Sequence, residues 1–137
     1  MKSSLRRLYE LGRPFRILAI ETSCDDTAVA IIDSTKQILA TLVSHQRAIH
    51  ATHGGVVPYL AAEAHRRYLP QILYSALSTS QLQLHEVDVI AATRGPGIAG
   101  CLATGYNAGK LLAKCMNKNL ISVHHMVNPN TLQLYPS

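Results

Sequence analysis

The chain has 137 residues, 47% of them apolar, 15% charged and 5% aromatic, with a formal charge of +5. That length and apolar fraction suit one domain with a single core and exclude wholesale disorder. No run reaches the roughly 18 uncharged apolar residues of a membrane-spanning helix. The charge does not describe a uniformly basic nucleic-acid surface, because residues 1–16 carry a net +4 and the remainder only +1.

Residues 1–16 read MKSSLRRLYELGRPFR. Wound as a helix, Leu5, Leu8 and Leu11 with Tyr9 make an apolar stripe flanked by arginines. An Arg-rich, Ser-containing, acid-poor amphipathic N-terminus has the composition of a mitochondrial transit peptide and lacks the apolar segment of a secretory signal. This predicts a basic arm over residues 1–15 and a mitochondrial matrix location. The plain alternative is a solvated arm with no targeting role. Cys24, Cys101 and Cys115 are odd in number, far apart and in no CxxC pattern, which points away from a disulfide scaffold or zinc site. All three are expected as small buried or half-buried residues.

After Pro14, Arg16–Thr22 (RILAIET) is apolar and β-branched enough for a buried strand. The turn-formers Ser23-Cys24-Asp25-Asp26 interrupt it. Strands follow at Thr27–Asp33 and Gln37–Ser44, giving an antiparallel meander. The loop Gln46–Pro58 holds two histidines and Gly54-Gly55, and Ala61–Leu77 has helical spacing. Val87–Thr93 reads as a buried strand ending in Arg94-Gly95-Pro96-Gly97. A small-residue helix follows from about Ile98 to Cys115, then a short strand Leu120–Val123 and His124-His125. The order βββαβαβ, with two helical crossovers, implies an α/β fold with a mixed sheet. This is the topology of a single ribonuclease-H-like lobe, which actin, sugar kinases and Hsp70 chaperones carry in doubled form.

Four segments could carry chemistry. The hairpin Glu21–Thr27 offers hydroxyls, backbone N–H groups and carboxylates for an anion, a Mg²⁺ or a water, although Ser and Asp equally serve turns. His50 and His53 in His50-Ala51-Thr52-His53-Gly54-Gly55, followed by His65, could be metal ligands by spacing, but no third ligand is placed by sequence and there is no HExxH helix, so structural histidines are the simpler reading. Arg94-Gly95-Pro96-Gly97 lies at a strand's carboxyl end before a helix, where open α/β sheets bind ligands. Of the neighbours His124 and His125, at most one faces a given side of a strand.

The segments ILAIETSCDDT (17–27), HATHGGVVPYLAAEAH (50–65), RGPGIAG (94–100) and SVHHM (122–126) occur in this order and at compatible spacing. Together they resemble the tRNA threonylcarbamoyladenosine synthase family, formerly described as glycoproteases or O-sialoglycoprotein endopeptidases. The basic arm makes its mitochondrial branch the nearest match. The resemblance implies transfer of a threonylcarbamoyl group from threonylcarbamoyl-adenylate to N6 of the adenosine beside the anticodon in ANN-decoding tRNAs. It implies a two-lobed enzyme holding one divalent metal, iron or zinc, in its cleft, and a homodimer formed through helices of the first lobe.

By the same resemblance Ser23, Asp25, Asp26, Gly95 and Gly97 are cleft-side candidates, and His125 matches the family's first metal-binding histidine. The family's second histidine falls at Pro129. Residues 127–137 do not resemble the family, and the second lobe is absent from this sequence. The expectation is therefore a first lobe over 16–126 that by itself is inactive and binds metal poorly, with its cleft face exposed. A non-catalytic dimerisation module is the alternative. A metallopeptidase has no supporting motif, and a sugar-kinase-like phosphotransferase is disfavoured by the HGGVVP segment.

Overall fold

The computed structural model describes residues 8, 10 and 12–126. Strand β1 spans Arg16–Glu21, β2 Asp26–Asp33, β3 Ile38–His45, β4 Val89–Gly95 and β5 Asn119–His124; helix α1 spans Pro58–Thr79 and α2 Ala99–Cys115. The sheet order is β3-β2-β1-β4-β5. Strands β1, β2 and β3 pair antiparallel, whereas β4 runs parallel to both β1 and β5. The two parallel strands are each reached through a helix, as crossover connections require. The predicted βββαβαβ order and mixed sheet are thus present, forming one ribonuclease-H-like lobe. Element ends differ from the sequence reading by a residue or two, and α1 starts three residues earlier, at Pro58, whose missing N–H suits a helix's first position.

The strand patterns explain the layers. In β2 (DTAVAIID), Thr27, Val29 and Ile31 are buried and alternate with half-buried neighbours, as a strand with one face on the core must. In β4 the first five residues are all buried, which is what a parallel strand flanked on both edges shows. Leu18, Ile20, Val29 and Ile31 meet Leu69, Ile72 and Ala76 of α1, while Ile90 and Ala92 complete the same cluster with Ala113 of α2. Both helices therefore cover the sheet face that carries these side chains. Each fully buried Leu, Ile or Val stabilises the fold by about 1.5–3 kcal/mol of transfer free energy. The opposite face carries an open, mainly apolar depression lined by small residues, among them Ala19, Ala28, Ala30, Ala91 and Val123.

Helix α1 runs through Pro70 without ending, although proline removes one helical hydrogen bond. Pro70 sits on the exposed side, where a freed carbonyl can turn to water. The loop expected over Gln46–Pro58 contains a single helical turn, Arg47–His50, then a 3-10 turn, Ala51–His53, closed by Gly54 at φ +71°.

Two expectations need correction or restriction. Cys101 is buried, but Cys24 and Cys115 are exposed: one lies on the hairpin tip and the other in the last turn of α2. The transit-peptide reading falls largely on residues 1–7, 9 and 11, and Pro129 with the 127–137 tail falls wholly outside the described residues. Within the predicted arm, Arg13 is fastened to the domain. Its guanidinium meets both oxygens of the buried Asp88 carboxylate at 2.8 and 2.9 Å, and the Arg16 backbone N–H donates to the same group at 2.8 Å.

Candidate functional site

The carboxyl ends of β1, β4 and β5 meet at one edge, and Glu21 is the hub there. One carboxylate oxygen accepts the Ser23 backbone N–H at 2.6 Å. The other accepts the Thr93 hydroxyl at 2.5 Å and lies 3.3 Å from His125 Nδ1. His125 Nδ1 is also 3.0 Å from Ser23 Oγ, and the His125 backbone N–H donates to the Gly95 carbonyl at 2.8 Å. The Ile98 N–H donates to the Ser23 carbonyl at 2.8 Å, which ties the β1–β2 hairpin to the loop before α2. Burial pushes the Glu21 carboxyl up, but hydrogen bonds from Ser23, Thr93 and His125 outweigh it and hold the group below the usual carboxylate range. Glu21 is therefore ionised at neutral pH.

Close packing makes this edge possible. A Cβ on Gly97 would overlap the Ser23 carbonyl oxygen and stand 2.8 Å from Ser23 Cβ and 3.0 Å from Ser23 Cα. Deeper in, the Thr22 hydroxyl donates to the Cys101 carbonyl at 2.8 Å. Gly105 leaves the space that Thr22 fills, since a Cβ there would strike the Thr22 hydroxyl.

The arrangement is a hydrogen-bonded imidazole and hydroxyl beside a fixed anion, not a nucleophilic triad. A triad needs the serine and the acid on opposite ring nitrogens. Here Ser23 and Glu21 both reach Nδ1, so the ring cannot relay a proton between them, and Ser23 is only 3% exposed. The Cys24 thiol is no better a nucleophile, because burial and then the neighbouring Asp25 push its pKa up.

Of the residues singled out from sequence, Ser23, Gly95, Gly97 and His125 come together. Asp25 and Asp26 do not join them; with His45 and Arg47 they line a separate open polar depression. Asp26 pairs with His45 Nδ1 at 2.9 Å, directly across the β2–β3 ladder. With both partners well exposed, such a pair contributes at most about 1 kcal/mol. Glu21 belongs to the hairpin segment, and its place as the hub emerges only from the fold. Thr93 was not singled out, although a hydroxyl closing an otherwise apolar buried strand is a signal that could have found it.

His65 of α1 and His50 of the loop are structural. His65 is fully buried: its Nε2 donates to the Cys24 carbonyl at 2.9 Å, and its Nδ1 accepts from the Thr27 hydroxyl at 2.7 Å. Gln46, also fully buried, reaches His65 Nδ1 at 3.4 Å and the Ala61 carbonyl at 3.3 Å. His50 closes the chain, with Nε2 3.1 Å from Gln46 Oε1 and Nδ1 accepting the Val57 N–H at 3.3 Å. This network joins hairpin, loop and α1, while His53 is exposed.

Among the described residues no three His, Cys, Asp or Glu side chains are grouped so as to hold a metal ion. His125 offers one nitrogen with only the Glu21 carboxylate beside it, which does not fit the coordination of a tightly held zinc or iron.

The sequence pattern of the tRNA N6-adenosine threonylcarbamoyltransferase family matches residues 37–128. A Chlamydia felis protein of that name is 47% identical over 109 residues, covering 80% of this chain and 31% of that protein. A Synechococcus sp. protein of the same name is 46% identical over 118 residues, covering 81% and 32% respectively. The chain thus spans about a third of the length of these relatives. Among solved structures, YeaZ from Pseudomonas aeruginosa superimposes with a TM-score of 0.60 at 23% identity, covering 80% of this chain and 44% of that one. This last likeness speaks for the fold alone.

Proposed function

Since this chain belongs to the tRNA N6-adenosine threonylcarbamoyltransferase family, we propose that it supplies one lobe of a site for threonylcarbamoyl transfer. The group moves from threonylcarbamoyl-adenylate to N6 of the adenosine beside the anticodon in ANN-decoding tRNAs. The observation that carries this reading is the family match over residues 37–128. The clustering of Ser23, Gly95, Gly97 and His125 at the carboxyl ends of three strands supports it, because ligands bind at that edge of such sheets. The Arg-rich composition of residues 1–16 supports the mitochondrial matrix as the place of action.

A positioned reaction needs both walls of its cleft, and misplacement of reacting groups by about 1 Å can cost about 100-fold in rate. The purified chain, given adenylate donor and an ANN-decoding tRNA, is expected to form modified nucleoside at least about 100-fold more slowly than the Chlamydia felis relative. A chimera carrying residues 16–126 in place of that relative's matching segment should retain transfer, as scored by nucleoside mass spectrometry. An inactive, folded chimera would overturn the reading.

The second reading, an association module, is supported by exposed apolar side chains on both helices. Tyr59 and Tyr74 of α1 are 73% and 75% exposed, and Leu111 of α2 is 63% exposed. Light scattering behind size-exclusion chromatography should give a dimer mass, and a monodisperse monomer across concentrations would count against it.

A further inference from the structure

We propose that Glu21 is a positioning residue that fixes the His125 ring as its Nδ1–H tautomer and leaves Nε2 as an open electron-pair donor at the edge of the sheet.

The proton inventory carries the argument. The Ser23 backbone N–H can only donate, and it occupies one Glu21 oxygen. Thr93 donates its hydroxyl proton to the other oxygen. Both oxygens are thereby acceptors, so His125 Nδ1, 3.3 Å from the second, must bring its own proton. Ser23 Oγ, 3.0 Å from the same nitrogen, is the second acceptor of that proton. The His125 backbone is pinned to the Gly95 carbonyl, and Ser23 is pinned through its own carbonyl to Ile98, which fixes the main chain beneath both side chains. Nε2 makes no hydrogen bond among the described residues, and the side chain is 43% exposed. An unconstrained imidazole in water prefers its proton on Nε2, so the site imposes the less common form. A carboxylate behind a histidine is the usual device for fixing the tautomer and orientation of the ring.

That Nε2 faces the transfer cleft rests on the family reading; the tautomer does not. Long-range ¹H–¹⁵N correlation on histidine-labelled chain, taken where the ring nitrogen shifts are those of a neutral imidazole, reads it directly. His125 is identified from the signal lost in His125→Gln. The expected spectrum has a pyrrole-type Nδ1 and a pyridine-type Nε2. In Glu21→Gln the amide oxygen stays on the Ser23 N–H and its NH₂ faces the ring. The tautomer ratio should then move by about tenfold or more toward Nε2–H, equivalent to about 1.4 kcal/mol. Thr93→Val keeps the carboxylate and should keep Nδ1–H. A wild-type ring with its proton on Nε2 would overturn the proposal, even if Glu21→Gln does not fold. So would a folded Glu21→Gln with an unchanged ratio, or a switch in Thr93→Val. A folded chimera that proved inactive in transfer, with the Nδ1–H ring still present in this chain, would refute the transfer reading and leave this one standing.

Discussion

Gly97→Ala is expected to destabilise the domain by about 3 kcal/mol or more, at the upper end of what overpacking costs. The added methyl would meet the backbone and Cβ of Ser23, not the end of a flexible side chain. Rotamer change therefore cannot relieve it. The hairpin and the loop before α2 would have to part, which breaks the 2.8 Å bond from the Ile98 N–H to the Ser23 carbonyl. The same movement carries Ser23 away from His125, so the edge site and the fold fail together. Gly55→Ala is the control. A Cβ there has nothing within 4 Å, and the cost should stay within about 0.5 kcal/mol. Urea denaturation of the two variants checks this, and equal midpoints would contradict it.

His65→Leu is expected to cost about 3–4 kcal/mol, because apolar volume is conserved while the Cys24 carbonyl and the Thr27 hydroxyl lose their partner. A pH dependence follows from the same residue. Burial lowers the His65 pKa and prevails over the Cys24 carbonyl and the carboxylates of Glu21, Asp25 and Asp26, which act to raise it. The unfolded ring titrates near 6.5 and the folded ring below that, so between the two values the unfolded chain binds more protons. Stability is therefore full above about 6.5 and falls as pH drops toward the folded value, with a slope of up to about 1.4 kcal/mol per pH unit. In His65→Gln that slope should vanish from this window. Denaturation midpoints measured from neutral to mildly acidic pH would show it, and an unaltered slope would place the titrating group elsewhere.

The strands and the crossover order were legible because period-2 alternation in β2 and the unbroken apolar run of β4 are local patterns. The gathering of Ser23, Gly95, Gly97 and His125 was legible only through the resemblance. Ser23 and His125 stand 102 positions apart in the chain, and no local pattern brings them together. The separation of Asp25 and Asp26 from that group was hidden for a related reason. They follow Ser23 directly, but the β2–β3 ladder sets Asp26 opposite His45 and draws the carboxylates to that side. The His65–Gln46–His50 network was equally invisible. Each partner alone reads as an ordinary loop or helix polar residue, and only tertiary packing shows that all three are buried.

Under the proposed mitochondrial location, the pairing of Arg13 with Asp88 would bound any proteolytic maturation. Asp88 is almost fully buried, and two of the three hydrogen bonds to its carboxylate come from the guanidinium of a residue ahead of the first strand. A protease that removes a leader up to Gly12 leaves that carboxylate neutralised. One that cuts after Arg13 strands it with a single backbone N–H. The innermost cleavage point the folded domain tolerates is therefore set by an ion pair near the N-terminal end of the central strands, at the opposite end of the sheet from the site edge.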